Sequence, residues 1–480
     1  MYYISEKNIN TTNLEVKMIN IKRFIKTAGI YLLGSVLSKL VSFFLLPIYT
    51  SNINPVEMGE YDLVFSFINL IAPIAFLQIW DSLFRFSFDT DEKQNKYALV
   101  NNSIFVCLFG VGIYLIFWIF LNIAYNFDYF YLVVLYGLLF AVQYVYTFSA
   151  RAFLKNGLYV FSGVISTIVT AILNIVLIVA FGFGINAMYI SAIVGILVQI
   201  ILIELDLKLL KNLNFKDINK PTLKSMISFS IPLCVATVSY WLLSGYSKII
   251  INYFLGDYDN GMYAVANKFA SMITIFVSVF QFAWNETAYL MANDDNRKSI
   301  YEQFVNFILK VVFWGTAIVI IGIKIIFPYF VDEIYYQSLN IVPAAIIGTA
   351  LNSVAGFLGT LFSTEKKTSF IMTSTIIASI FNIIAAVVGA KHFGLQGVVV
   401  ALMISFVLLL VIRLWKLTMD GSIKIKFATI FSLFPLCITV FLFYNISKMI
   451  TLWVIIFLLL IFFVFYIRND LKMFIMRRKK

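Results

Sequence analysis

Apolar runs of about twenty residues alternate along the chain with short polar or Gly/Pro-marked breaks. Fourteen runs are read, at approximately 26–50, 61–80, 99–123, 130–150, 160–181, 186–206, 227–255, 262–291, 303–326, 338–362, 369–390, 397–415, 427–446 and 449–467. A helix of that length spans the hydrocarbon layer of a bilayer. The pattern predicts an all-α integral membrane protein with 14 transmembrane helices.

The stretch Tyr263–Asn285 departs from uniform apolarity. Asn267, Ser271, Thr274, Ser278, Gln281 and Asn285 recur every three or four residues, and Lys268 stands beside the outer end of the series. This spacing lays one polar stripe along one face of a helix. Such a face is too costly to leave against lipid. It reads as one wall of a transport cavity, with a polar helix–helix seam as the alternative. The second run carries Asp62, Ser66 and Asn69, then Pro73, which is expected to kink it. The first carries Ser35, Ser38, Lys39 and Ser42, and the seventh Thr237, Ser244, Lys248 and Asn252.

The chain repeats itself. Met58–Leu63 (MGEYDL) matches Asn260–Val265 (NGMYAV), Ala171–Ile178 (AILNIVLI) matches Ser379–Ala386 (SIFNIIAA), and Phe183–Ala187 matches Phe393–Gly397. The offsets, 202, 208 and 210 residues, agree on one register. A six-helix unit used twice inserts the same way both times, because six is even. The division that follows is a cytoplasmic tail 1–25, a first six-helix lobe 26–210, a basic linker 211–226, a second six-helix lobe 227–416, two additional helices within 427–467 and a basic tail 468–480. The first, second, seventh and eighth helices, with the most nearly continuous polar faces, hold equivalent places in the two lobes. They are the expected lining of a central cleft.

Charge fixes the orientation. With the N-terminus inside, 29 of the 36 Lys and Arg fall on inner segments, including four from Arg413 to Lys426, while the outer loops hold only Lys391 and Lys448. This asymmetry places both termini in the cytoplasm. The net charge of +12 therefore reads as topology, not as a nucleic-acid surface. A chain 61% hydrophobic and 12% charged is not a soluble domain. Cys107, Cys234 and Cys437 all lie in apolar runs and, with a single histidine, suggest neither a disulfide framework nor a metal centre. No cleavable signal is read, and Met18 is an alternative start.

The candidate chemistry is cationic. Lys39 lies near the middle of its run, where a charge costs roughly 2.5–3.5 kcal/mol and needs water, a partner or an anionic ligand. Lys248 and Lys268 lie in the outer third of theirs, where each could also snorkel outwards. Together the three make a field suited to phosphate groups. Asn69, Ser271, Thr274 and Gln281 complete the expected substrate-binding set. Asp62 and Glu286, the acids nearest the runs, are candidates for a coupling cation or proton, or for pairing with a lysine. Lys310 and Lys324 read as interfacial, Asp81 and Arg85 as an ion pair, and Asn174 and Asn382 as packing hydrogen bonds. No phosphate-cradling Gly-rich loop, metalloprotease motif or nucleophile elbow is present, and the loops are too short for an ATPase domain.

On Leu45–Phe67 (LLPIYTSNINPVEMGEYDLVFSF), Ile231–Ala270 and the turn Phe393–Ala401 (FGLQGVVVA), the chain resembles the multidrug/oligosaccharidyl-lipid/polysaccharide exporter superfamily. Within it the chain is most similar to bacterial flippases for O-antigen and capsular repeat units. The resemblance implies an undecaprenyl-diphosphate-linked oligosaccharide moved from the inner to the outer leaflet of the bacterial cytoplasmic membrane by alternating access, for surface polysaccharide synthesis. It implies a protein that makes and breaks no bond and needs no cofactor, with a polysaccharide polymerase and chain-length machinery as candidate partners. It also implies a cationic central cavity, in which Lys39, Lys248 and Lys268 could serve. A cation-coupled multidrug exporter of the same superfamily is the alternative, disfavoured because the deep charges are lysines. A membrane glycan polymerase or ligase ranks third, because the longest outer connection, about Phe327–Leu339, carries no Arg, Lys or His.

Overall fold

The structure, a computed structural model, describes residues 37, 40–41, 43–90, 92–125, 129–290, 297–365 and 367–477. Among them the regular elements are helical and no strand occurs. Ten helices are long and apolar enough to cross a membrane by length and composition, and the protein is a multi-pass membrane protein. The other runs differ for specific reasons. Of the first, Leu46–Asn52 and a few neighbours are described. The eighth is Asp257–Leu290, a single helix of 34 residues. The thirteenth is split into Phe427–Phe431 and Leu433–Asn445. The eleventh and twelfth fuse into Thr368–Met419, bent at Gly394.

The bend falls at a glycine with a sequence counterpart in the first half of the chain. Gly394 has φ 59° and its counterpart Gly184 has φ 52°, left-handed values that suit glycine. Each turns the chain between consecutive helices, 210 residues apart, at the register the sequence matches predict. The second run breaks close to where its proline predicts. Pro55–Ala75 contains Pro73 and ends two residues later; Leu77 and Gln78 are left-handed, and Ile79–Phe86 resumes as a short helix. The seventh is divided at Gly245 into Lys220–Ser244 and Tyr246–Leu255.

Packing follows the same order. Val64, Ile68, Trp80, Tyr114, Trp118 and Tyr189 bury one another within the first half of the chain. Trp284, Phe313, Phe357, Phe362 and Leu409 belong to a second core, which also takes in Leu46, Tyr49 and Met58 from the first half. In lipid such contacts gain from close packing more than from the hydrophobic effect, so small residues matter where helices cross.

Among the described glycines the closest backbone approach joins the helices of the second and eighth runs, at their outer ends by the charge count. A Cβ on Gly59 would stand 1.9 Å from the Asp257 carbonyl oxygen, and one on Gly261 would stand 1.9 Å from that of Pro55. The two glycines are repeat equivalents, 202 residues apart, so the crossing is nearly symmetric. Asn260 Nδ2 donates to the Gly59 carbonyl oxygen at 2.8 Å. Beside it, Tyr335 Oη donates to the Ile53 carbonyl at 2.9 Å, and Phe43 stacks on Phe330 with centroids 5.3 Å apart.

Candidate functional site

Asp62 lies three residues beyond Gly59 along the second-run helix, just beneath this crossing. Its carboxylate faces Lys248 of the seventh-run helix: Nζ donates to Oδ1 at 2.9 Å and stands 2.8 Å from Oδ2. Both side chains are largely enclosed, Lys248 at 17% and Asp62 at 20% exposure. Lys268, on the eighth-run helix, is half-buried and within electrostatic reach of both Asp62 and Lys248. Three charged groups predicted separately from three runs thus share one region where the halves meet. One acid against two lysines leaves a net positive charge. Lysine ammoniums, as compact point charges, suit phosphate oxygens.

The stripe below Lys268 is the more open face of its helix. Ser271 is exposed, and Asn267, Thr274, Ser278 and Gln281 are partly accessible; Val265, Phe269, Ala270, Ile273, Val277 and Trp284 are buried. Ser271, Thr274 and Ser278 donate their hydroxyls to carbonyls three residues back, at 2.6, 2.6 and 2.8 Å. These bonds lie within their own helix. Gln281 differs: its Nε2 donates to Thr360 Oγ1 at 3.2 Å on the tenth-run helix, so the seam reading holds at that position. Asn69 Nδ2 donates to the Phe65 carbonyl at 2.7 Å and is partly accessible. Lys39 lies outside the described residues, as does the side chain of Glu286.

The other side of the seam is bonded along its length. Trp241 Nε1 donates to the Ser66 carbonyl at 2.9 Å, and Thr237 Oγ1 to Gln78 Oε1 at 2.8 Å. Ser82 Oγ donates to the Met226 carbonyl at 2.7 Å and lies 2.5 Å from Ser230 Oγ. The second- and seventh-run helices therefore stay together well away from the glycine crossing.

A model of the family described as "Polysaccharide biosynthesis protein" matches residues 24–284, more than half of the chain. The chain belongs to this family. No curated protein sequence matches it significantly. Among solved structures, it is similar to a lipid II flippase MurJ in an inward closed conformation, with a TM-score of 0.66 and 13% identity over 93% of this chain and 99% of that one. It is equally similar to an inward-facing multidrug resistance MATE family transporter of the MOP superfamily, with a TM-score of 0.66 and 13% identity over 80% and 95%. A mutant of the Vibrio cholerae MATE transporter VcmN follows, with a TM-score of 0.54 and 16% identity over 84% and 98%. At these identities the likeness establishes the fold shared by this superfamily.

In this member of the polysaccharide biosynthesis family several other charges sit differently from expectation. Arg85 pairs with Asp89 at 2.7 Å, both more than half exposed, and Asp81 instead accepts from Gln78 Nε2 at 2.5 Å. The break after Pro73 brings Gln78 to Asp81, while Arg85 points to water with its own i,i+4 acid. Lys324 donates to the Phe443 carbonyl and, at 2.7 Å, to that of Ile446, capping the helix Leu433–Asn445 where carbonyls lack partners. Lys310 is buried, its Nζ 5.2 Å from the Tyr466 ring centroid. Asn382 makes the packing bonds expected of it, to the Leu243 carbonyl at 3.0 Å and Ser247 Oγ at 3.4 Å, while Asn174 bonds the Thr170 carbonyl of its own helix at 3.0 Å. Among the described residues no group of three His, Cys, Asp or Glu could hold a metal.

Arg413 is a buried cation that the sequence does not mark. Counted with the inner segment that follows the twelfth run, it is 5% exposed inside the second half, bonded to the tenth- and eleventh-run segments. A single arginine two residues inside an apolar limit carries no sequence signal of that placement.

Proposed function

We propose that this protein is a flippase that carries polyprenyl-diphosphate-linked oligosaccharide repeat units from the inner to the outer leaflet of the bacterial cytoplasmic membrane, for assembly of a surface polysaccharide. The observation that carries this reading is the convergence of Asp62, Lys248 and Lys268 where the halves meet beneath the Gly59–Gly261 crossing. Lys248 and Lys268, with Lys39, hold the diphosphate. Ser271, Thr274 and Asn69 line the route of the sugars. The lipid chain stays in the bilayer, because its many CH2 groups each favour hydrocarbon by about 0.8 kcal/mol.

The proposed topology has fourteen crossings, two six-helix lobes at 26–210 and 227–416, and both termini in the cytoplasm. Two lobes about a cleft allow alternating access: the outer seal opens as the inner cleft closes. No bond is made or broken, so binding and lobe motion are the whole mechanism. Asp62 neutralises Lys248 while the site is empty, which lessens the cost of a buried cation. An arriving diphosphate brings more negative charge than one carboxylate and competes for that lysine.

The test is reconstitution. Purified protein in vesicles should move a fluorescent polyprenyl-diphosphate oligosaccharide between leaflets, and Lys248→Gln with Lys268→Gln should abolish the movement. Deletion in the native host should accumulate repeat units on the inner leaflet. A folded, reconstituted protein that neither binds nor moves such a lipid would sink the reading.

A further inference from the structure

A mostly apolar cavity with a few polar groups lies in the second half of the chain, about 350 Å³ in volume, lined by Tyr240, Asn352, Gly356, Thr375, Leu409 and Arg413 among others. That is at the small end of ligand pockets and fits one sugar ring. The guanidinium of Arg413 is buried at its edge. Nε donates to Ser374 Oγ at 3.2 Å, Nη1 to the Ala355 carbonyl at 2.6 Å, and Nη2 to Thr375 Oγ1 at 3.1 Å and the Ile371 carbonyl at 3.5 Å.

All four acceptors are neutral, and no described carboxylate forms an ion pair with this group. A guanidinium has five N–H donors, so one Nη1 hydrogen is left over among the described residues. Hydrogen bonds hold the group in place without cancelling its charge, and a buried charge without a counter-charge is expensive. Elsewhere in the lining, Asn352 Nδ2 donates to Tyr240 Oη at 3.1 Å. Tyr240 and Gly356 are exposed, so the cavity is open on that side. It also adjoins the polar stripe: Gln281 Oε1 lies 3.7 Å from where a Cβ on Gly356 would stand.

We infer that this cavity receives an acidic sugar of the transported glycan, its carboxylate on Arg413 and its ring between Tyr240 and Leu409. The remaining Nη1 hydrogen can make one charge-assisted hydrogen bond to a carboxylate oxygen. The inference rests on the flippase reading and adds to it a substrate class, a repeat unit containing a uronic or similarly carboxylated sugar.

The experiment measures thermal stabilisation of the full-length protein in nanodiscs by sodium glucuronate, glucose or sodium phosphate at constant ionic strength. Wild type should respond to glucuronate and not to glucose. R413Q should weaken the response roughly tenfold or more, R413K should keep part of it, and N352L should weaken it with Arg413 intact should R413Q fail to fold. K248Q should keep the glucuronate response while losing lipid movement, which separates failure of this site from failure of the flippase reading. An equal response to glucuronate and glucose in the wild type, an unchanged response in R413Q or N352L, or a response to phosphate alone overturns the inference.

Discussion

Asp62 Oδ2 and Lys248 Nζ stand 2.8 Å apart, and this contact ties a helix of the first half of the chain to one of the second. Both residues come from polar faces visible in the sequence. Removing one partner strands the other: Lys248→Gln should lower stability by about 1–3 kcal/mol, read as thermal unfolding in detergent. The double variant Asp62→Asn with Lys248→Gln should recover most of that loss while lipid movement stays absent. Recovery of both would make the pair a scaffold contact only.

Gly59→Ala and Gly261→Ala should each force the crossing apart, because the new methyl would meet a backbone carbonyl at 1.9 Å. With Asn260→Cys as reporter, labelling by a membrane-impermeant maleimide should rise several-fold over the same reporter with both glycines present. Unchanged labelling would mean that the crossing does not seal the outer side.

Lys268→Gln should remove surface polysaccharide at matched expression and Lys268→Arg should retain it, since loss of one charge-assisted contact weakens phosphate binding by roughly 10- to 100-fold. Lys39→Ala and Lys39→Arg should behave alike. Equal glycan in all four variants would remove the requirement for positive charge.

Outside the membrane, Lys367 bonds Glu365 at 2.9 Å and Asp420 at 3.1 Å, and Lys416 bonds Asp420 at 3.0 Å. The Lys416 hydrogen bond, then that of Lys367, holds the Asp420 carboxyl below its ordinary value; the Glu365 and Asp420 bonds raise Lys367. The contribution of Asp420 is therefore complete above about pH 4 and lost as the pH falls through its lowered value. That of Lys367 is complete below about pH 10 and lost above it. Asp420→Asn should cost no more than about 1 kcal/mol at pH 7, measured by thermal unfolding, and the two proteins should converge in acid. A wild-type advantage that grows below about pH 4 would contradict the assignment.

Much of this was legible because a bilayer imposes long apolar runs and rewards polar faces that meet. The stripe from Asn267 to Gln281, the repeat register and the cations Lys248 and Lys268 all came from that logic. Partners were harder. Asp62 and Lys248 are 186 residues apart, and nothing local links them. Asp81 and Arg85 had the right spacing for a pair, but the break after Pro73 gave the acid to Gln78. Arg413 sits where an apolar run fades into a basic loop, and only three-dimensional packing shows that it turns inward. The carbonyls that Lys324 caps, those of Phe443 and Ile446, lie 119 and 122 residues later, beyond the reach of any local pattern.

The Gly59–Gly261 contact also makes a fulcrum. A helix of 34 residues is about 50 Å long. Pivoted near one tip, a lever of that length tilted by about ten degrees swings its far end by about 9 Å while the pinned glycines scarcely move. On the flippase reading, long levers on a nearly symmetric pin let the mouth on the cytoplasmic side vary its width to admit cargo of different bulk, with the opposite face kept watertight until the outer seal opens.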